Sequence, residues 1–178
     1  MKSRNGFKIE FTDILYGTVI AISFEQILKP EVTTKLFMFF FALLIILDDW
    51  ILYHVALSRI TRTIKNYLLC FILDVVVLVS WYFIAIVSEE QFLLFLVFTT
   101  IFFGFTSIWG IIFGTRTMKK IMIETDIRLV IYFASVSICF MTFLQNYRVF
   151  TLTLCFLGFV LLRIRNWKNL LKEKEVLI

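Results

Sequence analysis

Six long apolar runs follow one another along the chain, separated by short polar links. Each run is close to the ~20 residues that an α-helix needs to cross ~30 Å of hydrocarbon. The runs cover residues 11–28, 36–57, 67–88, 91–114, 128–145 and 148–164. We therefore predict an all-α, polytopic membrane protein in which residues 1–178 form a single domain of six transmembrane helices.

The composition agrees with a membrane location. Hydrophobic residues make up 61% of the 178 positions, and 22 positions are Phe, whereas soluble domains are about 45–50% apolar. A soluble core of this size has no room for so much apolar surface, so we expect most of it to face lipid or other helices. The predicted location is integral to a membrane, which is the inner membrane if the source is a bacterium.

Basic residues lie mainly on one side of the predicted membrane. Fifteen of the 18 Lys and Arg residues, Arg163 among them, fall on one side, and only Lys29, Lys35 and Arg148 fall on the other. By the positive-inside rule, both termini are predicted to be cytoplasmic. Anionic lipid of the inner leaflet accounts for the net charge of +5, so the charge implies no nucleic-acid partner.

The sequence carries few signals of an enzyme. It has one histidine, His54, and no Gly-rich phosphate loop, no His-x-x-x-His pair and no Gly-x-Ser-x-Gly. The three cysteines, Cys70, Cys139 and Cys155, lie inside apolar runs and lack the spacing of a metal site. We expect neither enzymatic activity nor a cofactor or metal.

Ionisable side chains inside the apolar runs are candidate functional residues, because each costs ~2.5–3.5 kcal/mol or more if it faces lipid. They are Asp13, Glu25, Asp48, Asp49 and Asp74. Asp13 and Asp74 are expected either to hold helix ends through basic side chains or to pair with His54. Asp48 and Asp49 point about 100° apart on a helix. At least one of them is expected to face a polar crevice or to be protonated.

The first apolar run, residues 11–28, is called the N-terminal run below. Its Thr18, Ile22 and Glu25 stand at i, i+4 and i+7 and therefore share one side of a helix. Around the axis of an oligomer they would form a polar, an apolar and an acidic ring, and such rings attract cations and gate by dewetting. In a monomer the same face would pack on the other helices. Gly17 and Ala21 form a small-xxx-small pair, which favours close approach of helices.

The start of the N-terminal run resembles a known channel family. Phe11, Thr12 and Asp13, followed by "YGTVIAI", are similar to the Phe-Ser-Asp motif in the first helix of endolysosomal and bacterial potassium channels. Trp50 and His54 in "DDWILYH" resemble a Trp and a His near the inner end of that family's second helix. The resemblance agrees with the whole chain in length, span count and orientation. It implies a tetramer whose first helices line a potassium path.

Some positions depart from the family pattern. Thr12 replaces the Ser, Phe7 stands where the family has an Arg, and the Trp–His spacing is one residue longer. The family's apolar pore positions fall on Thr18, Ile22 and Glu25, and only Ile22 is apolar. By the resemblance, the constriction is less hydrophobic and the outer mouth is acidic.

We therefore predict a homo-oligomeric, potassium-type channel for monovalent cations, with Thr18, Ile22 and Glu25 lining the path. Two alternatives stay open. One is a membrane effector or partner subunit of a larger complex, for example a depolarising defence effector, whose basic cytoplasmic loops would dock a soluble partner. The other is a proton-coupled transporter that uses Asp48, Asp49 and Asp74.

Overall fold

The chain is described here by a computed structural model covering residues 33–59, 67–87, 91–113 and 116–175, together with residues 13, 14, 17, 18 and 21 of the N-terminal run. The described part is helical almost throughout and contains no strand, so the all-α prediction is confirmed. The long helices are α1 (Thr33–Arg59), α2 (Tyr67–Ile86), α3 (Phe92–Phe113), α4 (Arg116–Cys139) and α5 (Arg148–Glu175). A five-residue π-helix, Phe140–Leu144, continues α4. The described residues of the N-terminal run are helical as well.

Three stretches are long and apolar enough to cross a membrane: Leu69–Ile86, Phe92–Phe113 and Ile123–Leu144. The first two coincide with the predicted runs 67–88 and 91–114. The third begins before the predicted boundary at residue 128 and therefore brings Asp126 into an apolar span. A helix suits these stretches because, in lipid, it satisfies every backbone hydrogen bond within one segment.

Helices α1 and α5 correspond to the predicted runs 36–57 and 148–164, but charged residues interrupt their apolar stretches. These are Lys35, Asp48 and Asp49 in α1, and Arg148, Arg163 and Arg165 in α5. Most of the N-terminal run lies outside the described residues. The count of six spans and the cytoplasmic position of both termini therefore stay predictions.

Each described helix packs on the next one in sequence, and α5 returns to contact α1, so the five helices close into a bundle. Phenylalanine rings fill its interior. The ring of Phe41 on α1 has its centroid 5.7–6.3 Å from those of Phe95, Phe133, Phe156 and Phe159. These separations fall in the range of favourable aromatic pairs. A single aromatic cluster thus joins α1, α3, α4 and α5.

Hydroxyl side chains in the helices form hydrogen bonds to the backbone of their own helix. The buried Thr99 donates to the carbonyl of Phe95 at 2.7 Å, and Ser137 donates to that of Phe133 at 2.7 Å. A bond to the carbonyl four residues earlier lets a hydroxyl sit in an apolar interior without losing its hydrogen bond. Polar positions of this kind therefore fit within a membrane span.

Helices α4 and α5 approach closely at Gly158. The ring of Tyr132 lies against this glycine, and a Cβ there would clash with Cε1 and Cζ of the ring. The Tyr132 hydroxyl donates to the carbonyl of Leu154 at 2.7 Å, which fixes the ring in this place. Gly158 is therefore required by the contact between the two helices.

Candidate functional site

The N-terminal run is joined to α1 by a side-chain hydrogen bond. Trp50 donates from its indole Nε1 to Oδ1 of Asp13 at 3.0 Å. The sequence predicts either basic side chains or His54 as partners of Asp13, and the side chain of His54 lies outside the described part of the structure. The bond nevertheless brings together two elements of the family resemblance, the Asp of the first helix and the Trp of the second.

The other described residues of the N-terminal run face outward. Ile14, Gly17, Thr18 and Ala21 are exposed. The Thr18 hydroxyl donates to the carbonyl of Ile14 at 2.8 Å. A Cβ at Gly17 would meet no atom within 4 Å. We call these four residues the exposed stripe; Ile14, Thr18 and Ala21 fall within roughly 60° of helical arc at about 100° per residue.

Three charged side chains from three helices meet inside the bundle. Nε of Arg163 on α5 lies 2.7 Å from Oδ2 of Asp48 on α1, and its Nη1 lies 2.8 Å from Oδ1 of Asp126 on α4. The second contact is a hydrogen bond, whereas the first is a close ion contact that lacks hydrogen-bond alignment. The side chains of Arg163, Asp48 and Asp126 are 4%, 9% and 1% exposed. We call these three residues the buried charge centre.

Aromatic side chains surround the guanidinium of Arg163. Its Cζ lies 5.6 Å from the ring centroid of Phe103 and 5.8 Å from that of Phe159, within the range of cation–π attraction. Trp167, one turn further along α5, donates from Nε1 to Oδ1 of Asp48 at 2.9 Å. Asp48 therefore has a donor beside each of its oxygens, and α5 contacts α1 through both Arg163 and Trp167.

This arrangement gives two residues a described environment. Asp48 contacts the guanidinium of Arg163 inside the bundle. Arg163, counted by its sequence position among the cytoplasmic charges, is buried between two carboxylates. Asp49 is also buried, and its charge acts on Arg163. Adjacent residues diverge by about 100° on a helix, and it is Asp48 whose contact with the guanidinium is described.

Asp126, Arg163 and Trp167 are absent from the predicted site residues, although the helical period points to the first two. Buried positions recur every three or four residues on α4 and α5, as on one face of a helix. On α4 they are Asp126, Leu129, Phe133, Ser137 and Phe140, and on α5 they are Leu152, Cys155, Phe159 and Arg163. Each charged residue extends a largely apolar stripe by one turn.

The remaining predicted site residues are Asp74 and those that lie outside the described ranges. Asp74 on α2 accepts a long hydrogen bond from Cys70 Sγ at 3.7 Å, one turn earlier on the same helix. Phe11, Thr12, Ile22 and Glu25 lie outside the described residues, so their predicted contacts stay predictions. In the described ranges, no group of three or more His, Cys, Asp or Glu could hold a metal ion.

No protein-family model, no curated protein and no solved structure matches this chain. Two features of the molecule bear on its function, the exposed stripe and the buried charge centre. The first offers a surface for other helices, and the second ties α1, α4 and α5 together.

Proposed function

We propose that the chain is a subunit of a homo-oligomeric membrane channel for monovalent cations, whose path is formed by the N-terminal runs of several copies. The observation that carries this proposal is the exposure of Gly17, Thr18 and Ala21 on the single subunit. The same face in a monomeric protein would be expected to pack on the other helices. Here Thr18, the described member of that face, is exposed, and so are the neighbouring Gly17 and Ala21.

The small residues of the exposed stripe support contact with another copy. A glycine is needed at position 158 within the subunit, because the Tyr132 ring covers it. Gly17 has open space around its missing Cβ, so no described residue of the subunit requires a glycine there. Glycine and alanine four residues apart allow two membrane helices to approach closely. Gly17 and Ala21 therefore suit an interface between N-terminal runs.

The predicted lining suits cations. Thr18 is the described member of the predicted pore face, and its hydroxyl oxygen keeps an acceptor lone pair while it donates to Ile14. Ile22 and Glu25 would follow it as an apolar and an acidic ring on the same helical side. A ring of carboxylates raises the local concentration of cations, and an apolar ring supplies a constriction that closes by dewetting.

The bond between Asp13 and Trp50 would set the orientation of the N-terminal run. At 3.0 Å it fixes one side of the run against α1. Ile14 and Thr18 lie roughly 100–140° around the helix from Asp13 at about 100° per residue. Anchoring Asp13 therefore turns Ile14 and Thr18 away from α1, where neighbouring subunits would meet them.

The test is ion flux from proteoliposomes that contain the purified protein, with potassium, sodium and a large organic cation compared. We expect potassium flux in the unmodified protein. Glu25→Gln should lower the preference for the small cations several-fold, since an exposed charge at about 4 Å is worth about 1 kcal/mol in water. Thr18→Val should lower the flux because it removes the polar ring.

Thr142→Val is the matched control. Thr142 is exposed and donates to the carbonyl four residues earlier at 3.0 Å, as Thr18 does, but it lies on the π-helix that continues α4. The control should conduct like the unmodified protein. Absence of flux for every cation, from protein shown to be folded and oligomeric, would contradict the channel proposal. Equal effects of the two Thr→Val changes would contradict the assignment of the path to the N-terminal run.

A further inference from the structure

The two carboxylates of the buried charge centre are not equivalent. Asp48 has Nε of Arg163 2.7 Å from one oxygen and Nε1 of Trp167 2.9 Å from the other. Asp126 has Nη1 of Arg163 at Oδ1, while its Oδ2 is buried and accepts no hydrogen bond. One oxygen of Asp48 accepts a hydrogen bond and the other has a close ion contact, whereas Oδ2 of Asp126 is buried with no hydrogen bond, which disfavours the ionised form of Asp126.

The balance of charge at the site also favours a proton on Asp126. One guanidinium faces two carboxylates, and the charge of Asp49 acts on the same guanidinium. Ionised carboxylates in an apolar interior are stable only when paired and hydrogen-bonded, and otherwise they take up a proton. A protonated carboxyl group gains an O–H donor and loses its charge. A proton on Asp126 would leave Arg163 and Asp48 as a neutral pair.

We propose that Asp126 is a proton-binding site of the membrane-embedded bundle, which takes up a proton on Oδ2 and releases it when Arg163 is drawn toward α4. Proton uptake weakens the ionic contact between α4 and α5 and leaves Arg163 paired with Asp48 on α1. Release of the proton restores the three-helix ion contact. The proposal depends on the buried charge centre alone and is independent of the N-terminal run.

The charged groups near Asp126 determine how readily it binds a proton. Arg163 faces it from α5, and Asp48 and Asp49 act from α1 through the same guanidinium. Helix α3, which packs on α4, contains no titratable side chain between Phe92 and Phe113. On α4 itself, Glu124 and Arg128 are exposed. Proton binding at Asp126 is therefore controlled mainly by the Arg163–Asp48 pair.

The experiment is infrared difference spectroscopy of the full chain in lipid, titrated from about pH 4 to about pH 8, which spans the carboxyl and histidine ranges. The observable is the C=O stretching band of a protonated carboxyl group. Samples carry aspartate labelled with ¹³C at the side-chain carboxyl, or unlabelled aspartate. We expect a pH-dependent band in the unmodified protein that moves to lower frequency with the label.

Two variants identify the residue that binds the proton, even if Asp126→Asn fails to fold. In Asp126→Glu the band should persist but no longer move with labelled aspartate, because a glutamate now holds the proton. In Asp48→Asn the guanidinium pairs with Asp126 alone, so its ionised form is favoured and the midpoint should fall by roughly one pH unit or more. Asp74→Asn, at an acid outside the buried charge centre, should leave the band unchanged.

Three results would overturn the proposal. The first is the absence of a pH-dependent protonated carboxyl band from the unmodified protein throughout the titration. The second is a band that still moves with labelled aspartate in Asp126→Glu, since another aspartate would then carry the proton. The third is an unchanged midpoint in Asp48→Asn, since the proton site would then be independent of the Arg163–Asp48 pair.

Discussion

Replacing Arg163 with methionine removes the guanidinium from the buried charge centre and leaves its two carboxylates behind. Arg163 makes ion contacts at 2.7 and 2.8 Å with Asp48 and Asp126, and its side chain is 4% exposed. Little water reaches the site to solvate the abandoned charges. The variant is therefore expected to be strongly destabilised, in contrast to the loss of an exposed ion pair.

The magnitude follows from the burial of the pair. Removing one partner of a buried ion pair costs about 3–5 kcal/mol, because the other charge is left uncompensated. Arg163 also loses its cation–π contacts with Phe103 and Phe159, worth about 0.5–2 kcal/mol. Methionine recovers part of that through sulfur–aromatic contact, about 0.3–1.5 kcal/mol. We expect the free energy of unfolding to fall by about 3–5 kcal/mol.

The assay is detergent-induced unfolding in mixed micelles, followed by helical circular dichroism. Arg165→Met is the matched control, because Arg165 is an exposed arginine two positions further along the same helix. The control should change the free energy of unfolding by less than about 1 kcal/mol. The triple variant Asp48→Asn, Asp126→Asn, Arg163→Met should recover most of the loss, because no charge then remains buried.

The reasoning would be refuted by equal effects of Arg163→Met and Arg165→Met on the free energy of unfolding. It would also be refuted if the triple variant were as unstable as Arg163→Met alone. In that case the shape of the arginine side chain, and not its charge, would stabilise the bundle. A smaller loss for Arg163→Met at acidic pH is expected, since the abandoned carboxylates can then bind protons.

Two further variants test individual helix contacts. Gly158→Ala places a methyl group against Cε1 and Cζ of the Tyr132 ring and should lower the free energy of unfolding by about 1–3 kcal/mol. Gly104→Ala, where no atom lies within 4 Å of the added Cβ, should be neutral or stabilising. Equal losses would argue against the α4–α5 contact. Trp50→Phe removes the 3.0 Å bond to Asp13 and should cost about 1–3 kcal/mol. In a double-mutant cycle with Asp13→Ala, the cost of Trp50→Phe should shrink because the two side chains interact, and an unchanged cost would argue against the bond.

Much of the helical architecture is predictable because each apolar run encodes its own helix. The runs 67–88 and 91–114 match Tyr67–Ile86 and Phe92–Phe113 to within a few residues. The apolar stretch of α4 begins at Ile123, before the predicted start at residue 128. Glu124, Asp126 and Arg128 interrupt the apolar pattern there, and the sequence does not show that Asp126 meets Arg163 inside the bundle.

The buried charge centre is harder to predict because its members are far apart in sequence. Asp126 and Arg163 are 37 positions apart, and Asp48 and Trp167 are 119 apart. A basic residue near the end of an apolar run normally indicates the cytoplasmic side. Its burial becomes apparent only when α5 is packed against α1 and α4. The one local sign of this burial is that Arg163 continues the buried stripe of α5 that begins at Leu152.

The most direct test of the channel proposal is chemical modification of Thr18 during conduction. Thr18→Cys is made together with Cys139→Ser, because Cys139 is an exposed cysteine whereas Cys70 and Cys155 are buried. A positively charged thiol reagent is then added to proteoliposomes during potassium flux. The account predicts that the flux falls sharply in Thr18→Cys and is unchanged in Thr142→Cys. Full modification of Thr18→Cys without any loss of flux would contradict a path lined by the N-terminal run.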